Sequence, residues 1–463
     1  MISEKFRRQL RQEARLWKAE GLVDDELYQQ LADRYQFNSL ETAASNRFVI
    51  ILILGGGILL GLGVITFVAA NWQQWPRYMR VLLLLSVLMG FNAGGFYLWQ
   101  HPTSESKQRL GQGLLMAGAL SLGANIALLA QMFHIGGSPY GLYVVWGLGV
   151  LIMAYSLKLR SLSVLAIILL GLGYFQGIGI ALSARNLSAI DILLQYMPIA
   201  SAILFIPLAY WCQSRVVFIM ALLAIAIPLL VITERLISYD SITRIWVAIS
   251  LILIPTWLWS YRDSQWPHVH GQPFQAIAHS LAIFYLGVLC FIFSFFDVWN
   301  NFDFWTYRDT PENSNIMLIN ILAFVVISLW QWFQIIKPHG SQRYWGVNAY
   351  TTAISAMIII TGLVTFWHIS IAQISTIATL IFNLQMFLLG AVTVRLGLLK
   401  GNRSAFWYGM VLLVLQIISR MFEYETELLL KALVLVLCGI AVIIAGLWFE
   451  KNLSRSNLPN SRS

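Results

Sequence analysis

Residues 162–182 read LSVLAIILLGLGYFQGIGIAL and contain no charged side chain. A helix needs roughly 20 predominantly apolar residues to cross a hydrocarbon core about 30 Å thick. This stretch has that length, and Gln176 is one of its few polar residues. The sequence here therefore predicts a transmembrane helix.

The composition of the whole chain agrees with this reading. Of its 463 residues, 58% are hydrophobic and 11% are charged, and the mean hydropathy is +0.71. Soluble globular proteins carry about 25% charged residues, so a soluble fold, a disordered chain and a collagen are all excluded. Three cysteines exclude a disulfide scaffold. The fold class predicted is all-α: a polytopic integral membrane helical bundle.

Apolar runs long enough to cross a membrane recur along the chain, and we expect about 14 transmembrane helices. The candidate spans are 48–70, 81–99, 111–133, 140–157, 162–182, 192–212, 216–232, 245–261, 275–296, 315–336, 347–368, 373–398, 405–422 and 427–449.

The basic residues predict the orientation of these spans. Lys and Arg outnumber Asp and Glu by 30 to 21, but they lie singly or in pairs between apolar runs. That placement is typical of membrane insertion and argues against a nucleic-acid partner. Most of the 30 basic residues fall on one side when the N-terminus is placed inside. We therefore expect both termini to be cytoplasmic.

Four segments are predicted along the chain. They are a cytoplasmic helical hairpin (1–46), an N-terminal transmembrane region (47–182), a C-terminal transmembrane region (183–449) and a cytoplasmic tail (450–463). In the hairpin, Gly21 interrupts a first helix and Asp24 or Asp25 caps a second. We expect this hairpin to dock on the membrane surface or the bundle, or to bind a partner protein.

Three stretches carry a resemblance to a known family. They are Leu16-Trp17-Lys18-Ala19-Glu20-Gly21-Leu22-Val23, Phe67-Val68-Ala69-Ala70-Asn71-Trp72, and Ala130-Gln131-Met132-Phe133-His134-Ile135-Gly136-Gly137 followed by Trp146. In this order and spacing the chain resembles the DUF2157 family of bacterial predicted membrane proteins over about residues 10–180. The resemblance implies a bacterial membrane protein, which we expect in the inner (plasma) membrane, and it implies no particular activity.

The candidate ligand-binding residues lie in two of these stretches. Gln131 and His134 are three residues apart, a spacing that places both on one face of a helix. Gly136 and Gly137 follow them, and a broken helix beside polar groups is how membrane proteins build a small-ligand site. The alternative is an ordinary helix end in an outer loop.

The other candidate ligand-binding residues are Asn71, Trp72 and Trp146. Trp72 stands at the outer end of the first span, where tryptophans form an interfacial belt. Asn71 is expected to cap that helix or to form a hydrogen bond with a neighbouring span.

The remaining polar residues in the spans are expected to contribute to helix packing more than to ligand binding or catalysis. No Asp or Glu lies in the middle of a predicted span, which argues against proton coupling. Asp191 lies at a span edge, where a carboxylate costs little, and Arg395 and Arg420 are close enough to span ends to reach the head groups. The pair Gly173 and Gly177 permits close approach of another helix.

Catalytic and metal signatures are missing from the sequence. There is no P-loop, nucleophile elbow, HExxH or dinucleotide fingerprint, so we expect no cofactor, no metal and no enzymatic activity. His268 and His270 form a pair with no further ligands nearby. A membrane-embedded transferase would depend on a buried histidine, for which His279 is the candidate.

The leading hypothesis is a bacterial multi-pass membrane protein that binds or moves a small or lipidic molecule without proton coupling. Its expected partners are the lipid bilayer and that ligand, and the sequence leaves the oligomeric state open. The alternatives are a membrane scaffold or sensor that acts through the N-terminal hairpin, and a membrane-embedded transferase.

Overall fold

The structure is a computed structural model. It describes residues 10–34 except 11, 15 and 19, residues 66 and 70, and the ranges 72–183, 187–236, 241–263, 274–300, 314–336, 349–423 and 427–456. The predicted first span, 48–70, lies almost entirely outside these residues.

The secondary structure of the described ranges is helical, which confirms the all-α prediction. The helices are α1 (Asp25–Arg34), α2 (Arg77–Gln100), α3 (Glu105–Met132), α4 (Pro139–Leu157), α5 (Arg160–Ser183), α6 (Ala189–Gln195), α7 (Met197–Trp211), α8 (Arg215–Leu236), α9 (Ser241–Ser260), α10 (Gln275–Phe293), α11 (Phe296–Asn300), α12 (Ser314–Ile336), α13 (Ala349–Ser370), α14 (Ser375–Lys400), α15 (Arg403–Glu423) and α16 (Leu428–Ser456).

Eleven helices in the described part of the chain are long and apolar enough to cross a membrane. The number becomes 12 if α6 and α7, which meet at a bend of 82°, form one span. The helix Ile245–Ser260 within α9 is apolar but shorter. The predicted count of about 14 therefore stays a prediction, as do the four predicted segments.

Short polar signals set the helix ends between these apolar runs. Ser138 caps α4, accepting a hydrogen bond from the backbone N–H of Gly141, and Pro139 occupies the first turn, where its missing N–H costs nothing. Lys158 ends the same helix in the left-handed conformation, with φ +53°. Gly401 ends α14 in the same way, with φ +62°.

The chain divides into two compact units, Met1–Ser86 and Val87–Ser463. In the first unit Ala14 is fully buried. The partly buried side chains around it are Leu10, Trp17, Tyr28, Leu31 and Ala32. Gly21 lies in the turn before α1 with φ +75°, and the Asp24 carboxylate caps α1 by accepting from the Leu27 N–H at 2.8 Å. The cytoplasmic placement of these residues stays a prediction.

The second unit is a helical bundle with a continuous apolar core. Large apolar side chains also cover its surface, among them Ile152, Phe175 and Leu380, each more than half exposed. A soluble monomer rarely exposes contiguous apolar patches of this kind. The exposed side chains therefore form the lipid-facing surface of a membrane bundle.

Glycines bring α4 and α5 into close contact. A Cβ atom added at Gly173 would lie 2.7 Å from Val144 Cγ2, and one at Gly177 would lie 2.7 Å from the Tyr140 ring. The GxxxG pair of α5 therefore packs against a helix of the same chain. This contact positions Tyr140 for the site described next.

Candidate functional site at a broken helix

The apolar run predicted as the span 192–212 is broken near its start. Helix α6 ends at Gln195 and α7 begins at Met197, with an angle of 82° between them. Pro198 lies in the first turn of α7. Proline has no N–H to donate to the carbonyl four residues earlier, and its ring clashes with that carbonyl in a continuous helix. Pro198 therefore favours a break in the helix at this point.

Asp191 lies at the start of this broken helix and is buried, with 5% of its surface exposed. One carboxylate oxygen accepts hydrogen bonds from the Ser188 N–H at 3.0 Å and the Ser188 hydroxyl at 2.7 Å. The other accepts from the Tyr140 hydroxyl at 2.9 Å. Asp191 lies at the edge of the predicted span, as expected, but it is buried there, and Ser188 and Tyr140 compensate for that burial.

Two buried side-chain amides lie at the end of α6: that of Gln195, the last residue of the helix, and that of Asn320. The Gln195 side chain donates from Nε2 to the Ala181 carbonyl at 2.6 Å. The Asn320 side chain of α12 donates from Nδ2 to the Gln195 carbonyl and the Ile316 carbonyl, each at 3.0 Å. In the described part of the chain, Gln195 Oε1 and Asn320 Oδ1 are buried and have no hydrogen-bond partner.

An apolar cavity of about 220 Å³ lies beside the break. It is lined by residues of α5, α7 and α8, including Ile168, Gly171, Phe175, Met197, Leu223 and Pro228. Tyr174 carries the one phenol among the lining residues. Met197 stands two residues after Gln195, so the cavity begins where the broken helix turns.

The polar residues and the cavity lie at different depths along α5. The Gln195 amide contacts Ala181, close to the end of this helix, whereas Gly171 and Tyr174 line the cavity. Seven residues separate Tyr174 from Ala181, which corresponds to about 10 Å along a helix. The amides therefore lie nearer the end of α5, and the cavity lies towards its middle.

The residues predicted from the sequence lie elsewhere. Helix α3 ends at Met132, so His134 stands beyond it with φ +52°, and both Gln131 and His134 are exposed. They do not share a helix face. The segment that follows leads to Ser138 and Tyr140, and it thus ends at the hydroxyl that contacts Asp191.

Trp146 joins two helices of the bundle. Its indole Nε1 donates to the Ala119 carbonyl at 2.7 Å, and its ring covers Gly123. In the first unit, the Arg80 guanidinium stacks on the Trp72 ring, 5.5 Å from its centroid. Asn71 lies outside the described residues. The ligand-binding role of all five predicted residues stays a prediction.

Residues 15–163 match the DUF2157 family model. Its description is "Predicted membrane protein", and the match confirms the resemblance found in the sequence. No curated protein and no solved structure matches the chain significantly. With its many apolar helices the chain is a membrane protein, and the DUF2157 region covers its N-terminal third. Tyr140 lies inside that region, whereas Asp191, Gln195 and Asn320 lie outside it.

A second buried polar cluster lies well beyond the DUF2157 region. The Arg420 guanidinium donates to the Ser294 carbonyl at 2.7 Å, stacks on the Phe295 ring and forms an ion pair with Glu423. Glu423 also accepts a hydrogen bond from the Phe296 N–H at 2.7 Å. Arg420 thus binds protein groups at the start of α11, and its contact with the head groups stays a prediction.

Among the described residues, no histidine belongs to a group of side chains suited to a metal ion. His279 stacks on the Trp259 ring, with a centroid distance of 4.5 Å. No group of three or more His, Cys, Asp or Glu side chains suited to a metal occurs among the described residues. His268 and His270 lie outside them.

Proposed function

We propose that this protein binds a lipid, with one hydrocarbon chain held in the cavity between α5, α7 and α8. The observation that supports the proposal is the apolar lining of that cavity, in which Tyr174 is the one residue with a hydroxyl group. Helices α5 and α8 are long and apolar enough to cross a membrane. Such a cavity therefore lies at a depth where acyl chains are the surrounding solvent.

The cavity volume favours one part of a lipid over a whole ligand. An engineered apolar cavity of about 150 Å³ binds benzene, and sites for drug-sized ligands measure roughly 300–1,000 Å³. At about 220 Å³ the cavity lies between these sizes. It matches a segment of a hydrocarbon chain, with the rest of the molecule outside.

A glycine pair on α5 provides a matched test. Gly171 lines the cavity, and a Cβ atom at this position would meet no atom within 4 Å. Gly179, two turns further along α5, is equally open but does not line the cavity. Gly171→Trp should fill the cavity, whereas Gly179→Trp should leave it empty.

The measurement is photocrosslinking of a diazirine-bearing palmitic acid to the full chain in phosphatidylcholine nanodiscs. We expect a crosslink on α5 or α8 that Gly171→Trp lowers at least fivefold and that Gly179→Trp leaves unchanged. Equal labelling of both variants, or labelling spread evenly over the apolar surface, would contradict the proposal.

We further propose a bacterial inner-membrane location with both termini cytoplasmic. The excess of Lys and Arg in alternate connecting segments supports this orientation. His134 and Lys158 lie at opposite ends of α4. In a chain without its three native cysteines, His134→Cys should react with an impermeant maleimide in intact cells, and Lys158→Cys should react only in inside-out vesicles. The reverse pattern would require the opposite orientation.

A scaffold or sensor function is the second candidate, and the packing around Ala14 supports it. Residues 10–34 have a small apolar cluster of their own, which favours a folded N-terminal segment. Deletion of residues 1–40 tests this candidate. Normal membrane insertion with loss of a protein partner in pull-downs would favour it, whereas an unchanged partner set would remove it.

A further inference from the structure

The cavity between α5, α7 and α8 is open to the apolar surface of the bundle. Ile168, Leu172 and Phe175 of α5 line it, as does Leu223 of α8. These four side chains are also 42–58% exposed. A hydrocarbon chain can therefore enter the cavity from the side, while the head group of the same lipid stays at the membrane interface.

Arg160 lies on the cavity-facing side of α5, at the start of that helix. Three of the lining residues, Ile167, Gly171 and Tyr174, follow it by 7, 11 and 14 residues. At 3.6 residues per turn these spacings place all three within about 40° of Arg160 around the helix. Ile167 lies about 10 Å further along the axis, at 1.5 Å per residue. A head group at Arg160 is therefore in line with a chain that enters the cavity.

The surroundings of Arg160 have the character of a membrane interface. Arg160 and Lys158 are both exposed. The Lys158 ammonium lies over the Trp211 ring, 5.1 Å from its centroid, and Trp211 is 54% exposed. Tryptophans at this kind of position are typical of the head-group region. In the described ranges no carboxylate forms an ion pair with Arg160, so its charge is not neutralised there.

The two ends of α5 differ in charge. The far end lies against α6, where the Gln195 amide contacts the Ala181 carbonyl and where Asp191 carries a carboxylate. The near end carries the cations of Lys158 and Arg160. A negatively charged head group is therefore favoured at the near end, by charge complementarity.

We propose that the lipid held in the cavity is an anionic phospholipid, whose phosphate binds to Arg160. This inference rests on the proposed function and names the class of lipid. A guanidinium matches the geometry of a phosphate with two parallel hydrogen bonds. Basic pockets beside transmembrane helices bind anionic head groups in the same way. Lys158, two residues earlier, adds a second positive charge to this site.

The test uses two lipid probes with the same diazirine-bearing acyl chain and different head groups. Phosphatidylglycerol has a net negative charge, whereas the choline ammonium of phosphatidylcholine neutralises its own phosphate. Each probe is added at the same low mole fraction to the full chain in phosphatidylcholine nanodiscs. Mass spectrometry of crosslinked peptides from α5 and α8 gives the ratio of phosphatidylglycerol to phosphatidylcholine labelling.

Arg215 provides the matched control. It begins α8 as Arg160 begins α5, and it is also exposed. The lining residues Met220, Leu223 and Ile227 follow it by 5, 8 and 12 residues. They therefore lie about 80–140° away from Arg215 around α8, at 100° per residue. Arg215→Gln removes one positive charge without touching the cavity-facing side of either helix.

We expect a labelling ratio of at least five for the wild type. Arg160→Gln should bring the ratio within twofold of one, because it removes the charge that selects the head group. Arg160→Lys retains that charge and should keep at least half of the preference. Arg215→Gln should leave the ratio unchanged.

The outcomes separate this inference from the proposed function. A ratio near one in the wild type, with labelling by both probes still lost in Gly171→Trp, would overturn the head-group site and leave the chain site standing. A preference that Arg215→Gln lowers as much as Arg160→Gln, or that Arg160→Lys abolishes, would also overturn the head-group site. Labelling that Gly171→Trp does not reduce would remove the chain site and the head-group site together.

Discussion

Asn320 donates its side-chain amide to the backbone carbonyl of Gln195, 3.0 Å away and 125 residues distant in the sequence. Gln195 is the last residue of α6, and the final carbonyls of a helix have no partner within it. The amide from α12 satisfies one of them. This bond connects the broken helix to the second half of the bundle.

Asn320→Ala should therefore destabilise the protein more than loss of a comparable amide elsewhere. It removes the donor to a buried carbonyl, which costs about 1–3 kcal/mol. Asn125→Ala removes a buried amide whose described bond stays within α3. Thermal unfolding in detergent should show a larger decrease for Asn320→Ala, and equal decreases would mean that the bond to Gln195 contributes little.

Gly177→Ala tests the close contact between α4 and α5. The added Cβ would lie 2.5 Å from Leu194 Cδ1 and 2.7 Å from the Tyr140 ring. Tyr140 has little freedom to move, because its hydroxyl is bonded to Asp191. Overpacking of this kind costs typically 1–3 kcal/mol.

The control for this substitution is Gly179→Ala, since Gly179 is open on the same helix. The difference between the two unfolding temperatures in detergent measures the cost of the contact. If both variants unfold at the same temperature as the wild type, α4 and α5 separate easily and Tyr140 is not held in place.

The sequence predicted the helices well, because lipid leaves the backbone few alternatives. Every backbone polar group in a hydrocarbon core must be satisfied internally, so a long apolar run becomes a helix. The predicted span 162–182 corresponds to α5, Arg160–Ser183. The predicted span 275–296 ends three residues later than α10. At this point the Ser294 carbonyl accepts a hydrogen bond from Arg420.

The site was harder to predict, because its residues are distant in the sequence. Gly136 and Gly137 indicated a break after α3, and the structure has an ordinary connection between two helices there. Pro198 was the stronger signal, hidden inside an apolar run that appeared continuous. Nothing in the sequence alone pairs Gln195 with Asn320, or Asp191 with Tyr140, since these contacts arise only when the helices pack.

Arg420 and Glu423 should behave as a coupled pair. Their side chains are 17% and 11% exposed, so either charge left alone would be largely buried. Breaking a buried pair by removing one partner typically costs 3–5 kcal/mol. Glu423→Leu and Arg420→Met should each approach that cost.

The double variant should cost less than the sum of the two single variants, because it leaves no unpaired charge. Unfolding of all four proteins in detergent gives the coupling energy. Arg403 and Glu450 provide the control pair, bonded at 2.8 Å but 65% and 55% exposed, for which we expect a coupling below about 1 kcal/mol. Additive effects at Arg420 and Glu423 would show that solvent or head groups reach them.

His134→Gly separates a structural role of this residue from a ligand-binding one. His134 has φ +52°, a conformation that costs a non-glycine residue roughly 1–2 kcal/mol, and glycine offsets part of the gain through its larger entropy loss on folding. We therefore expect the unfolding temperature in detergent to stay constant or rise slightly. Lipid labelling of the same variant then decides whether the exposed imidazole binds a ligand. Lower labelling at full stability would assign it that role, whereas a drop in stability would mean that the imidazole makes a contact that the fold requires.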